Sequence, residues 1–507
     1  MMRKLKIYFT SDIHGYFFPT DYISQGEKPL GLFRCAANFE KDADTLIIDG
    51  GDILQGSAFG QYAARVTQDF EMFADIMNTC GYDFVTLGNH DFNYGQDTLR
   101  SYLDKLDGRC VCENLRNGAG EKLFPHAIHT LGNGLRVGVV GIVTPFVNLW
   151  EKPEHLAGLE IGDPLEAARK ALAELKGKTD VTVCVYHGGF ERDFESGVLL
   201  SESDENIGCR ICEELDFDVL LSGHQHMTVS GRDYHGTYII QPPENAKGYA
   251  FLEVEKSGAQ VSVRSALCHP CAIDINVQIA PAFWETEAKV QTWLDEFVGA
   301  LPSALPVGAR TEMALHGSPL ADLLNRVQLA YSGAQLSATS LANDVQGLPK
   351  NVTRRDLFAA YPYPNTFLVL QITGRQLRAA AERSAEYLEY DAGGRLTVSE
   401  RFLRPKVEHY NYDFFAGITF ERDFYRPHGN RVLNLRFDGK DILDDDLFTI
   451  CINNYRASGA GGYPMYPECP VIRDIQVEMT EMLLGYFDTL QPNNTNFEKS
   501  QRLILQE

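Results

Sequence analysis

Short runs of aliphatic and β-branched residues recur through the first half of the chain, and most stop at a polar residue. Lys6 to Thr10, Thr45 to Ile48, Asp83 to Leu87, Arg136 to Val143, Val181 to Tyr186 and Val219 to Leu221 have the length and composition of buried strands. Amphipathic stretches separate several of them. "DFEMFADIMNTCG" ends on a glycine stop, and "DPLEAARKALAELKG" opens on Asp163 and Pro164 as a helix start does. Strands alternating with helices predict a layered α/β domain. Three later runs, "TYIIQ", "YAFLEVE" and "VSVRSAL", follow one another without helices and predict an antiparallel edge.

After about residue 275 the pattern changes. "APAFWETEAKVQTWLDEFVGALP" reads as one amphipathic helix between Pro281 and Pro302, a plausible element between domains. Beyond it, helical patterns over Ser318 to Leu329 and Gly374 to Tyr387 are mixed with strands and many tyrosines. The expected organisation is a first domain over 1–275, a linker helix over 276–304 and a second domain over 305–507. A chain of 507 residues is too long for a single core, which agrees with that division.

Charge narrows the chemistry. The chain has 46 basic against 69 acidic side chains, net −23, which argues against a nucleic-acid partner held by phosphate contacts. If the substrate is an anion, bound cations would have to offset this field locally. The N-terminus "MMRKLKIYFTSDIHG" has only a three-residue apolar run before Thr10, too short for a secretory signal. The stretch from Val137 to Val147 is interrupted by Gly and Pro and falls short of the ~18 residues of a membrane span. The expectation is a soluble, cytoplasmic protein without a membrane partner. Eleven cysteines fit reduced thiols. Cys209 with Cys212 and Cys268 with Cys271 have zinc-like spacing, but the ~55 residues between the pairs favour plain core positions over a structural zinc site.

The strand ends carry metal-binding side chains. "IYFTSDIHG" brings Asp12 and His14, "LIIDGGD" Asp52, "FVTLGNHD" Asn89 and His90, "VCVYHGG" His187, and "LLSGHQH" His224 and His226. Loops at the carboxyl ends of strands in an open α/β sheet gather in one crevice, so these eight side chains can converge. On a strand, residues i and i+2 share a side, so His224 and His226 are expected to point the same way. Oxygen and imidazole donors without thiolate suit Mn²⁺, Zn²⁺, Fe²⁺ or Co²⁺. Seven ligands for two ions require a bridging carboxylate, and Asp52, beside Gly50 and Gly51, is the natural bridge. Two divalent ions serve displacement at phosphorus, which leaves His90 to donate a proton or stabilise developing charge.

The ordered set DxH, GGD, GNHD, HGG and GHxH resembles the calcineurin-like metallophosphoesterases, and "GNHDFNYG" is similar to their nucleotide-hydrolysing branch. The resemblance implies a four-layer αββα sandwich followed by a separate α/β (α+β) C-terminal domain. It further implies one metal held by Asp12, His14, Asp52 and His226, a second held by Asp52, Asn89, His187 and His224, and His90 as the catalytic histidine. In the second domain "YPYPNTFLVLQITG", "YNYDFFAGITF" and "NNYRASGAGGYP" resemble the 5'-nucleotidase C-terminal domain. By that resemblance a base is sandwiched between Tyr412 and Tyr455.

Three departures matter. The Asn-Gly-Gly-Ile-Arg element of that family corresponds here to "LANDVQGLPKNVT", in which Asn343 matches and the arginine is missing. Gly461 stands where an acidic residue is expected, and Asn93 replaces an aspartate three residues after His90. These changes resemble the bifunctional 2',3'-cyclic-nucleotide 2'-phosphodiesterase/3'-nucleotidase branch. That implies an enzyme opening 2',3'-cyclic ribonucleotides to 3'-nucleotides and dephosphorylating these to nucleoside and phosphate. The alternative is a 5'-nucleotidase or nucleotide-sugar hydrolase with the same metals. Proteins of this resemblance are often exported.

Overall fold

The strand and helix alternation of the first half builds two six-stranded sheets. The computed structural model describes residues 2–489 apart from 25, 195, 196, 198, 200–203, 271–280, 364, 405, 406 and 476. The chain divides into two compact units, Met1–Gln291 and Thr292–Glu507.

In the first unit, one sheet has the spatial order Gln260–Cys268, Tyr249–Ser257, Arg3–Thr10, Thr45–Asp49, Phe84–Val85 and Arg109–Cys110. The other runs Val229–Tyr234, Thr237–Gln241, Val219–Ser222, Val181–His187, Arg136–Val143 and Ala127–Thr130. Their inner faces pack on each other. Leu5, Ile7, Phe9, Leu46 and Ile48 from one sheet and Val139, Val183, Val185 and Leu221 from the other form a single buried cluster. Alternation explains the choice of faces. Tyr8, between Ile7 and Phe9, turns outward and packs on Phe39, Tyr249 and Phe251. Helices Pro164–Leu175 and Gly208–Glu214 cover the outer face of the second sheet around Val140, Ile142, Cys184 and Leu220. Glu71–Cys80 and Gln96–Lys105 are further helices of this unit, which is an αββα sandwich.

The central pairings are parallel: Lys6 opposite Thr45 in the first sheet, and Val183 opposite Val219 and Val139 in the second. Parallel strands put all their carboxyl ends on one side, which brings the DxH, GGD, HGG and GHxH loops together.

The structure corrects two expectations. Thr237–Gln241 does not join the antiparallel edge with the two strands after it. It stays in the second sheet, parallel to Val219–Ser222 and antiparallel to Val229–Tyr234, a strand too polar to be read from its pattern, and the chain changes sheet only after it. Only Tyr249–Ser257 and Gln260–Cys268 form the expected hairpin, which closes against Arg3–Thr10. The helix at Pro281 stops at Leu294, because Phe297–Ala300 leaves the helix to pair with Asn351–Thr353. The unit boundary lies inside this helix. Trp284 packs on Phe18 in the first unit, and Trp293 on Phe358 in the second.

The second unit is built on a five-stranded sheet in the order Asp413–Ala416, Leu336–Ser340, Leu447–Asn453, Phe367–Thr373, Val471–Ile475. Helix Pro319–Ser332 covers one face and helix Gly374–Ala385 the other. Both begin at side-chain caps readable in the sequence, Ser318 before Pro319 and the Thr373 with Gln376 capping box. Cys209 and Cys212 are buried in the helix packed on the second sheet, Cys271 lies outside the described residues, and every described cysteine is a free thiol. No helix among the described residues is long and apolar enough to cross a membrane.

Leu252 is fully buried between the two sheets, away from the loops. Leu252→Ala is expected to cost about 2–5 kcal/mol, as buried leucine truncations do. In urea this would lower the unfolding midpoint of the first unit and leave that of the second in place.

Candidate metal centre

The predicted ligands sit just past the strand ends, on backbone that few side chains tolerate. Asp12, His14, Asp52, His224 and His226 have φ values of 55°, 53°, 60°, 72° and 52°. Non-glycine residues in this left-handed region cost on the order of 1–3 kcal/mol each unless the surroundings hold them there. The parity argument for His224 and His226 is thereby corrected. The strand ends at Ser222, and it is the left-handed turns that aim the two rings, each at a different partner.

Backbone hydrogen bonds stitch the loops together. Asp12 N–H donates to Gly51 O at 2.9 Å, and His14 N–H to Asp52 O at 2.8 Å. Gly51 is required by close approach, since a Cβ there would lie 2.4 Å from the Gly88 nitrogen. The buried Asp91 carboxylate binds the next loop to this one by accepting from the backbone N–H groups of Asp52 (2.9 Å), Ile53 (2.8 Å), Leu54 (3.1 Å) and Gly88 (2.8 Å).

Six of the seven predicted ligands converge by direct contacts. His226 Nε2 lies 2.9 Å from His14 Nε2 and 3.5 Å from Asp12 Oδ1. Asp52 Oδ2 lies 3.9 Å from His14 Nε2 and 3.2 Å from His187 Nε2, which is itself 3.2 Å from Asn89 Oδ1. Asp52 thus stands between the two groups. Ligand atoms of Asp12, His14 and His226, and those of Asp12, Asp52 and His187, lie within 4.8 Å of one another. The seventh, His224, has its ring 5.3 Å from that of His187. The His90 ring lies 5.4 Å from that of His14, and its backbone N–H donates to Asp52 Oδ1 at 2.7 Å.

The surroundings select the nitrogen each ring presents. His14 Nδ1 and His187 Nδ1 each lie 2.6 Å from a backbone carbonyl, Gln55 O and Gly50 O, so both carry hydrogen there and turn Nε2 to the centre. His224 is reversed. Its Nε2 meets Glu205 Oε1 at 2.9 Å, which leaves Nδ1 as the ring nitrogen outside that contact, while the Trp150 ring stacks on it at 5.6 Å. Glu205, Asp91 and Trp150 escape sequence reasoning. Asp91 adjoins a recognisable motif, but nothing in the pattern ties Glu205 to His224, 19 residues on.

Electrostatics agree with a cation site. Burial alone would raise the Asp12 and Asp52 carboxyls, yet the neighbouring histidines hold both below their ordinary value. Burial lowers His14 to about 4, keeping it a neutral donor. Burial also works to lower His187, but Asp52 and Asp12 outweigh it and raise it to about 10. Two ring nitrogens 2.9 Å apart and two buried carboxylates with histidine partners are a donor set that fits divalent ions, with no thiolate among them.

In the second unit the predicted residues fare differently. Tyr412 is buried, its ring 4.7 Å from Tyr387 and 4.8 Å from Phe414, with its hydroxyl donating to Ala314 O at 3.0 Å and accepting from Arg422 at 2.9 Å. That ring is a core side chain, not an open platform. Tyr410, two residues earlier, lies 6.4 Å from the exposed Tyr455 ring and 6.2 Å from Tyr363. The turn His409–Asn411 before the strand leaves Tyr410 half-buried beside Tyr455 and sends Tyr412 into the core. Asn343 uses its side chain on backbone, accepting from His409 N–H at 2.9 Å and donating to Val407 O at 2.7 Å. A cation stands near it despite the missing arginine of the loop, because Arg310 donates to Ala342 O at 2.6 Å. Gly461 also gains a reason. A Cβ there would lie 2.2 Å from both Arg456 Nη1 and Asn411 Oδ1. Arg456 is paired instead with the buried Asp413, at 2.9 Å.

Because His187 must lose its proton to bind a metal, loading the metal-free protein with Zn²⁺ at pH 7.5 is expected to release about one proton from it. Calorimetry in two buffers of different ionisation enthalpy measures this. For the metal-free protein the sign runs the other way. The folded value of His187 stands above the ordinary 6.5, so its contribution to stability is complete below pH 6.5 and is lost as the pH rises through about 10.

The calcineurin-like phosphoesterase family profile matches residues 5–228, and that of the 5'-nucleotidase C-terminal domain matches residues 298–468. A Staphylococcus aureus structure described as a candidate 5'-nucleotidase in complex with alpha-ketoglutarate is 33% identical, with a TM-score of 0.82 over 97% of both chains. The Haemophilus influenzae 2',3'-cyclic-nucleotide 2'-phosphodiesterase/3'-nucleotidase is 24% identical over 99% of this chain and 87% of its own length. The trifunctional nucleotide phosphoesterase of Bacillus subtilis is 25% identical over 97% of this chain, which spans only 38% of that relative. The chain belongs to the 5'-nucleotidase family, with a calcineurin-like phosphoesterase domain followed by a 5'-nucleotidase C-terminal domain.

Proposed function

We propose that this phosphoester hydrolase opens 2',3'-cyclic ribonucleotides to 3'-nucleotides and dephosphorylates these to nucleoside and phosphate. The observation that carries the hydrolase reading is the meeting of strand-tip side chains around Asp52, five of the ligands being on left-handed backbone. Asp12, His14, Asp52 and His226 would hold one divalent ion, and Asp52, Asn89, His187 and His224 the other. Such a pair supplies Lewis acidity to the phosphoryl oxygens and acidifies the attacking water.

The residues do the rest. The carbonyls of Gln55 and Gly50 and the Glu205 carboxylate hold the histidine rings in one tautomer and one orientation. His90 holds a proton close to the centre. As water adds to phosphorus and the P–O2' bond breaks, that proton goes to the departing 2' oxygen. Hydrolysis of the resulting 3'-monophosphate repeats the step with O3' leaving, so one site can serve both reactions. Tyr455 with Tyr410 offers the base a stacking surface, worth ~1 to 3 kcal/mol per base with little base selectivity. Tyr412 is not part of it.

A second reading is a 5'-nucleotidase with the same centre. It is favoured by the 33% identical S. aureus neighbour and by the Vibrio vulnificus 5'-nucleotidase, 23% identical over 97% of this chain.

Turnover of 2',3'-cyclic AMP, 3'-AMP and 5'-AMP after loading with Mn²⁺ or Co²⁺ separates the two. The first pair of substrates is expected to be preferred, and a marked preference for 5'-AMP would transfer the assignment to the second reading. His90→Asn is expected to lower kcat by about 10²- to 10⁴-fold with bound metal retained, the range for a lost proton donor.

A further inference from the structure

Asn93 lies where the resemblance expects an aspartate beside His90, yet a carboxylate is present one step further out. His90 Nδ1 lies 2.7 Å from Asn93 Oδ1, and Asn93 Nδ2 donates to Glu151 Oε2 at 2.6 Å. Glu151 is buried, and its other oxygen accepts from the Lys152 backbone N–H at 2.7 Å and meets His155 Nδ1 at 2.8 Å. With both oxygens engaged, the carboxylate is held against rotation.

Hydrogen-bond polarity then runs in one direction. A carboxylate accepts and does not donate, so the Asn93 NH₂ must face Glu151 and the amide oxygen must face His90. An amide oxygen also only accepts, so His90 carries its hydrogen on Nδ1. That leaves Nε2 as the atom that takes up the second proton of the imidazolium and delivers it to a substrate oxygen. Without Glu151 nothing in this chain of contacts distinguishes the two ends of the amide. A flipped Asn93 would offer NH₂ to His90 and select the opposite tautomer.

We infer that Glu151 is a positioning residue that acts through Asn93 to fix the tautomer of His90 and to place a negative charge one amide away from it. The inference rests on the proposed role of His90 as proton donor, although its structural half stands independently. Its location fits the task. Glu151 directly follows the short helix Val147–Trp150, whose Trp150 stacks on His224, so one segment braces a histidine on each side of the centre. No pattern in the sequence links residue 151 to residue 90.

The test uses the full chain loaded with Mn²⁺ for kinetics and with diamagnetic Zn²⁺ for ¹⁵N-histidine NMR. The His90 signals are identified by their loss in His90→Asn. Glu151→Gln is expected to lower kcat for 2',3'-cyclic AMP by about 10- to 100-fold, the usual effect of an outer partner, with KM within about twofold. Its His90 resonances should shift from the Nδ1–H pattern to a mixture. In the double variant Asn93→Asp with Glu151→Gln, a carboxylate again accepts directly from His90. It is expected to restore the Nδ1–H signature and kcat to within about threefold.

Wild-type kcat and an unchanged tautomer in Glu151→Gln would overturn the inference. So would a lost kcat that the double variant fails to rescue while the tautomer stays Nδ1–H, since that marks a role in folding alone. Should Glu151→Gln not fold, Glu151→Asp, which keeps a carboxylate but draws it back from Asn93, decides by its His90 spectrum: a mixed tautomer supports the inference and an unchanged Nδ1–H signature overturns it. If wild-type enzyme hydrolyses none of the three nucleotides, the functional proposal fails, and the NMR comparison alone still accepts or rejects the positioning role.

Discussion

A single buried carboxylate organises the centre. Asp91 collects the backbone N–H groups of Asp52, Ile53, Leu54 and Gly88. Each of those donors lies where the backbone makes a sharp turn and cannot pair within a strand, so each would otherwise be an unmet buried donor. Gathering them on one anion turns a liability into a clamp that fixes the Asp52 loop against the Asn89–His90 turn. The clamp holds the Asp52 backbone where its side chain stands between His14 and His187.

The same economy recurs around the rings. His14, His187 and His224 each have one nitrogen occupied by a backbone or carboxylate oxygen and the other turned inward. The strained backbone at five ligand positions has a comparable logic. A loop that must return side chains to a common point within two residues has no extended path, and a left-handed residue is the shortest turn available. The parallel strands behind these loops supply the rigid, fully buried platform that holds such conformations.

Much of this was legible in the sequence, though unevenly. The α/β layering follows from strands alternating with helices, the sandwich from the family resemblance of the strand-end motifs, and the nearness of the Asp, His and Asn side chains from their place at strand ends, because a strand's composition and its terminal motif are both local signals. What escaped is non-local or depends on one-residue geometry. The strand Val229–Tyr234 is half polar and lies at an edge, and the retention of Thr237–Gln241 in the second sheet is decided by pairing that no window of sequence contains. Tyr412 matched the motif of a base platform, but two tyrosines separated by one residue, astride a turn, cannot be assigned inside or outside without the turn. Glu205 and Glu151 act across 19 and 58 residues, through partners that only the fold brings near.

The glycine at 461 bears on what its loop can accept. The space that an acidic side chain would need is filled by Asn411 and by the guanidinium of Arg456, whose charge Asp413 already balances. A side chain at 461 therefore has room only if Asn411 or the Arg456 guanidinium moves, and moving the latter would disturb a buried ion pair. Change at these positions is coupled, so a longer residue at 461 is tolerated only together with a change in its neighbours.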